Sequence, residues 1–223
     1  MDDLKQAVSI LNGFSTPESL TVRIAELERS VRGADGEQLG RLLETQNVTP
    51  QLFAAAALVK RMAGQINVLI HATGILLALP HLLAPEEEVM SVSLGAGNTG
   101  RKFDLETNLQ VAEFKFIDWR GGAEAIRQNS VFVDIFNLLG DGSGRRRVMY
   151  LRNKAVPIKF LHGGRAISSV LSKSSGTAKE FSDRHGDKYQ RVSQWYAAEA
   201  KGNVEIVDLK DVLPRNVPVP TET

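Results

Sequence analysis

The chain has 223 residues, 43% of them hydrophobic and 24% charged, with 27 basic and 26 acidic side chains and no cysteine. That length suits one large domain or a domain with a helical extension, and the composition argues against global disorder. The lack of cysteine excludes disulfides and thiolate metal centres and suits a cytoplasmic protein.

Net charge is only +1, but it is unevenly spread. Residues 1–60 carry 6 basic and 8 acidic side chains, residues 61–140 carry 6 and 9, and residues 141–202 carry 13 and 5. A locally basic third on a near-neutral protein points to a polyanionic partner, or else to an ordinary solvated surface. The amino terminus, MDDLKQAVSI, lacks the basic and apolar regions of a secretory signal. The most apolar run, Ile66 to Leu83, is interrupted by Asn67, His71, Thr73, Pro80 and His81. A bilayer needs about 20 predominantly apolar residues, so this run is expected to be a buried helix, with no membrane partner.

In chain order, Ser15-Thr16-Pro17-Glu18 has the spacing of a helix start, and Leu20, Ile24, Leu27 and Val31 follow at helical intervals before Gly33. Asp35 is placed to cap a short helix over Leu39, Leu42 and Leu43, and Thr49-Pro50 to start another over Phe53, Leu58 and Met62. Gly64 is the expected break before a helix over Gln65 to Leu79, apolar on nearly every face and ended by Pro80. Residues 1–64 therefore read as an N-terminal helical segment, 65–213 as an α/β domain, and 214–223 as a flexible, proline-containing tail.

Val89 to Leu94 reads as a strand. The AGNTG loop after it lacks the Gly-Lys-Ser/Thr ending of a phosphate-binding loop and leads into a strand. Lys102 to Trp119 reads as a β-hairpin, and Gly121-Gly122 ends it. Ala123 to Leu139 is a predicted helix, Arg147 to Leu151 a strand, and Pro157 to Val170 a mixed stretch. Lys173 to Asp187 is polar enough to be a mobile loop, Lys188 to Lys201 a helix with Val192, Trp195 and Tyr196 inward, and Val204 to Leu209 a last strand.

The hairpin carries the chemistry. Side chains alternate faces along a strand. With Thr107-Asn108 as a two-residue turn, Asp104 lies opposite Val111 and Lys102 opposite Glu113, and Asp104, Glu106, Glu113 and Lys115 share one face. Phe103, Leu105, Ala112, Phe114 and Phe116 form the other. Buried charges in such a strand are costly unless paired or bound to metal, whereas on a solvated face they need no explanation.

Helix, three antiparallel strands, helix, strand, with an Asp on the second strand and Glu-x-Lys on the third, resembles the PD-(D/E)XK nuclease superfamily, which has the restriction-endonuclease-like fold. The resemblance covers residues 65–151 and extends toward 209. It departs at Phe103, where Pro is usual before the Asp, and on Gln65 to Leu79, which lacks the Glu many members carry. It implies hydrolysis of phosphodiester bonds, with DNA favoured over RNA. Mg²⁺ or Mn²⁺ would be held by Asp104, Glu113 and the Phe114 carbonyl, and Lys115 would orient the attacking water or stabilise the phosphorane. Gln128, on the following helix, falls where some members place a Gln near that water. The same fold with an incomplete site would serve as a binding module.

Arg145, Arg146 and Arg147, with Arg152 and Lys154, could follow a phosphate backbone or form a basic loop. His162-Gly-Gly-Arg165 could meet a phosphate or be a plain turn. His71 reads as a hydrogen-bonded core histidine, and Trp119, Trp195 and Tyr196 as core anchors. His71 and His81 lack an acidic neighbour in sequence, so zinc is not indicated. The acidic N-terminal segment offers nothing to a nucleic acid and is a candidate protein-binding or homodimerising element.

Overall fold

The computed structural model describes residues 2–15, 19–95, 100–116 and 124–213. The chain divides into two compact units, 1–67 and 68–223, and the division falls inside one long helix.

The first unit is helical. α1 spans Asp2–Ser15 and α2 Leu20–Ser30. Ser15 therefore ends one helix, and the cap of the next is Ser19, whose hydroxyl accepts from the Val22 N–H; Thr16, Pro17 and Glu18 lie outside the described residues. α3, Gly36–Thr45, starts as expected at Asp35, which forms a reciprocal capping box with Gln38. α4, Pro50–Leu82, runs 33 residues without a break at Gly64 and carries Pro80 in its last turn. A single exposed glycine costs a helix roughly 1 kcal/mol, too little to interrupt one this long.

The expectation that the apolar part of α4 is covered on both sides fails. Ile75 and Ala78 are fully buried, but Val68, Leu69, Ile70, Leu76 and Leu77 are exposed. Its most apolar stretch is only 17% buried, and it is the one helix among the described residues long and apolar enough, by length and composition, to cross a membrane.

The second unit is mixed α/β around a five-stranded sheet in the order β1-β2-β3-β4-β5. The strands are β1 (Val89–Val92), β2 (Leu105–Thr107), β3 (Gln110–Lys115), β4 (Arg146–Leu151) and β5 (Glu205–Asp208). β1, β2 and β3 form an antiparallel meander, with a bulge between Val89 and Ser91; β4 and β5 add in parallel. The crossover from β3 to β4 is made by α5, Glu124–Leu139.

Alternation along β3 and β4 sorts the core into two layers. Ala112, Phe114, Val148 and Tyr150 pack with Leu105, Phe116 and the α4 residues Ile75 and Ala78. Gly74 is required there, because a Cβ at that position would come within 2.7 Å of the Phe116 ring. On the other face, Val111, Met149 and Leu151 pack with Phe132, Ile135 and Phe136 of α5 and with the helices that follow β4. Phe103 joins this second layer rather than the first, because residues 102–104 are bends that break the strand alternation.

The helices after β4 are α6 (Ala155–Leu161), α7 (Ile167–Leu171), α8 (Ser175–His185) and α9 (Val192–Trp195). α8 replaces the expected loop at 173–187: its one buried anchor, Phe181, packs against Phe132, Phe136 and Trp195, and the rest of the helix is polar. α9 continues as a π turn over Tyr196–Ala200, with the Lys201 N–H donating to the Tyr196 carbonyl at 2.7 Å. Val192, Trp195 and Tyr196 are buried, as the spacing predicts.

Candidate functional site

The hairpin turn is Asn108–Leu109, one residue later than the sequence suggests. Two side chains fix it. Thr107 Oγ1 accepts from the N–H groups of Leu109 (3.0 Å) and Gln110 (2.8 Å). Asn108 ties the turn to the connection before β1, accepting from the Glu88 N–H at 2.9 Å and donating to the Glu86 carbonyl at 3.2 Å. Beneath them the buried Glu87 accepts from Thr107 Oγ1 (2.5 Å) and Gln110 Nε2 (2.7 Å), and Tyr150 donates to Gln110 Oε1 at 2.8 Å. Every polar group in this buried network has a partner, which makes the register hard to slip.

The register pairs Leu105 with Ala112 and Glu106 with Val111. The paired ladder ends there, and Asp104 follows in the bend before β2, its carbonyl accepting from the Ser93 N–H at 2.8 Å. Moving the turn by one residue shifts the pairing by two, which brings Asp104 to the level of Glu113 instead of Val111. Asp104 is close enough to Glu113 to raise its carboxyl, by charge and by hydrogen bonding. The Phe114 N–H donates to Asp104 Oδ2 at 3.0 Å.

Lys115 follows on the same face of β3, toward α5. Its ammonium sits 2.6 Å from Asp134 Oδ2. Asp134 projects from the middle of α5, where Ser130, one turn earlier, donates to the same oxygen at 3.3 Å. From the opposite layer, His71 of α4 places Nε2 3.4 Å from Asp104 Oδ1 and 3.3 Å from the Ser93 carbonyl. His71 is thus hydrogen-bonded, as expected, but its partner is the candidate site.

Five titratable groups now share one buried region, and their protonation follows from it. Burial, then the nearby charges of Asp134 and Asp104, push Glu113 up to about 9, so it holds a proton at neutral pH. Burial also works on Asp104, but the hydrogen bonds from His71 and the Phe114 N–H and the charges of His71 and Lys115 outweigh it and keep that carboxyl below its usual range. Burial opposes the charge on Lys115, but Asp134, Glu113 and Asp104 together hold it protonated. Burial raises Asp134 against the pull of Lys115. His71 is raised, chiefly by its hydrogen bond to Asp104.

No group of three or more His, Asp or Glu side chains has the geometry to hold a metal ion among the described residues. The donor set that is present, two adjacent carboxylates, suits Mg²⁺, which binds through one or two carboxylates and keeps several waters.

The other candidate residues are dispersed. Gln128 of α5 accepts from the Arg165 guanidinium, which also reaches Ser169 at 3.5 Å. Arg145, Arg146 and Arg147 sit at the start of β4 and are largely paired. Arg145 bonds Glu106 at 3.0 Å, Arg146 bonds Glu205 at 2.8 Å, and Arg147 donates to the Asp141 carbonyl at 2.7 Å. Arg152 and Lys154 lie past the other end of that strand, where the Arg152 N–H donates to the Lys115 carbonyl at 3.0 Å. The strand separates the two groups by about 16 Å at ~3.3 Å per residue, so they do not make one continuous basic track. Trp119 lies outside the described residues, as do Gly121-Gly122, residues 96–99 of the AGNTG loop and the tail 214–223.

Sequence reasoning missed Asp134. The available signal was a lone carboxylate inside an apolar run, VFVDIF, on a helix expected to face the sheet. A charge so placed needs a partner, and Lys115 is the unpaired cation of the neighbouring strand. No family model, curated protein or solved structure matches the chain.

Proposed function

We propose that the chain is a metal-dependent nuclease with a restriction-endonuclease-like core, hydrolysing phosphodiester bonds, with DNA the favoured substrate. The observation that carries this reading is the register of the β2–β3 hairpin. It brings Asp104 beside Glu113, two residues before Lys115 on β3, next to a helix–three-strand–helix–strand order that many phosphodiesterases of this kind use.

Asp104 and Glu113, with the Phe114 carbonyl, would hold Mg²⁺ or Mn²⁺. When bound, the ion supplies Lewis acidity at a phosphate oxygen and at the attacking water. In the hydrolysis, the water oxygen bonds to phosphorus as the bond to the leaving sugar oxygen breaks; the water loses a proton to solvent and the leaving oxygen gains one. Lys115, kept charged by its carboxylate neighbours, stabilises the negative charge that builds on the phosphoryl oxygens. His71 and the Phe114 N–H hold Asp104 ionised and in place. In the first unit the described residues bury only Ala7 and Ala55, while Leu20, Val22, Ile24, Leu43 and Phe53 are exposed, which supports a protein partner or second copy there.

One observation favours a non-catalytic reading. α4 offers His71 where the resembled nucleases often place a Glu, so the acid set is minimal. Cleavage of plasmid, single-stranded DNA and RNA with Mg²⁺ or Mn²⁺ separates the two readings. Wild type is expected to cleave, and Asp104→Ala to cut the rate by at least ~10²-fold. Lys115→Met is expected to do the same, but it strands Asp134 without its counter-charge, which costs about 3–5 kcal/mol. K115M/D134N is therefore the folded control. Nucleic-acid binding without cleavage under every condition would leave the binding-module reading standing instead.

A further inference from the structure

The lysine of this site does not stand free between the two facing acids. It is tied at both ends. Its carbonyl accepts from the Arg152 N–H at 3.0 Å, fixing the backbone onto β4. Its ammonium lies 2.6 Å from Asp134 Oδ2. Asp134 is in turn braced by Ser130, and the helix that carries both is anchored by the fully buried Val131, Phe132, Ile135 and Phe136. A lysine side chain is a flexible four-carbon stem that ordinarily samples many rotamers. Here one carboxylate on a rigid helix selects among them.

We propose that Asp134 is a positioning residue for phosphodiester cleavage, fixing the Lys115 ammonium on the face it shares with Glu113. This inference rests on the nuclease reading and goes beyond it, because the hairpin motif contains no counterpart of Asp134. Nothing else among the described residues ion-pairs with the Lys115 ammonium. An amine released from Asp134 would swing on its stem, and an error of about 1 Å in a charge-stabilising group lowers rates by roughly 10²-fold. Asp134 touches neither substrate nor metal in this scheme, so its removal acts on the chemical step and leaves binding alone.

The test is single-turnover cleavage of plasmid DNA with Mn²⁺, comparing wild type with Asp134→Asn and Asp134→Glu, with thermal melts to establish folding. D134N removes the charge at constant shape. D134E keeps the charge but moves it by one methylene. We expect D134N to lower the cleavage rate ~10²-fold and D134E ~10-fold, with the KM for DNA and the half-saturating Mn²⁺ within about threefold of wild type. If D134N does not fold, D134E decides by the same criteria. Cleavage at the wild-type rate by either folded variant overturns the assignment. So does a loss that appears in KM while the rate at saturation holds, since that is the signature of lost ground-state binding and not of a misplaced charge in the chemical step. Wild-type protein that does not cleave at all overturns the nuclease reading and this role with it, an outcome distinct from wild type cleaving and D134N cleaving equally well.

Discussion

At the residue scale, Glu113 is the most displaced group of the site, and its displacement has a sign that can be measured. Its carboxyl is held near 9 against an ordinary value of 4.5. Between those two values the folded chain keeps a proton that the unfolded chain has released, so the folded state binds more protons and its stability falls as pH rises through that window. Below it both states are protonated and the effect vanishes. Glu113→Gln removes the titration while keeping the shape and one donor. The variant is expected to match wild type near pH 4 and to exceed it at pH 8 by up to ~5 kcal/mol, on the order of 10 °C in Tm for a chain of this size, in melts without divalent ions. Adding Mg²⁺ should raise the Tm of wild type and leave the variant unmoved. A Gln variant that melts below wild type at pH 8 would mean Glu113 is ionised and satisfied, and the crowding argument would fail. Glu113 and Lys115 were legible in the sequence because alternation holds along β3; Asp104 lies in the bend before β2, and only its nearness to them could be read from the hairpin. Asp134 was not legible, because its contact with Lys115 comes from the packing of α5 on β3, which no local pattern specifies.

Among the elements, α4 is the one whose sequence misleads. Gly64 and Pro80 are both ordinary helix breakers, and the helix runs through both. Local propensity proposes a boundary, but the neighbouring alanine-rich turns and the contacts of Ile75 and Ala78 with the sheet outweigh it. The two glycines of this helix give opposite expectations. A Cβ at Gly64 would meet nothing within 4 Å, whereas at Gly74 it would press on Phe116. Gly64→Ala should therefore stabilise the protein by up to ~1 kcal/mol. Gly74→Ala should destabilise it by ~1–3 kcal/mol, because the largely buried Phe116 ring must shift to admit the methyl. Urea denaturation of both variants checks this, and a destabilising Gly64→Ala would mean that residue 64 is not helical. Other local signals hold in part: the Asp35 cap, Thr49-Pro50 and the β1–β3 meander lie close to where the spacing puts them, whereas the Ser15 start is displaced to Ser19. α8 was missed because a single buried phenylalanine, rather than a periodic stripe, attaches it to the core.

For the molecule as a whole, the charge pattern foretold a basic third but not how the fold would divide it. Summed along the sequence, residues 141–202 look like one cationic surface. The parallel register of β3 and β4 splits them, with Arg146 level with Gln110 and Leu151 level with Lys115. At the Arg146 end the positive charge is consumed by Glu106, Asp141 and Glu205. At the Lys115 end, Arg152 follows directly on β4 and its Nε is buried without a hydrogen-bond partner among the described residues. If the chain is the nuclease proposed, a polyanion bound for cleavage must reach Lys115, and the useful cations are those at its own end of the sheet. Arg152→Ala with Lys154→Ala should weaken DNA binding and flatten its salt dependence, lowering the slope of log K against log salt by about 2, since two phosphates would no longer be neutralised. Arg146→Ala should leave that slope unchanged, because its guanidinium already answers Glu205. Titrations of a fluorescent duplex between about 50 and 200 mM salt would read both slopes. The reverse ranking, with Arg146 setting the slope and Arg152 and Lys154 silent, would put the nucleic acid at the far end of β4 and out of reach of the carboxylate pair.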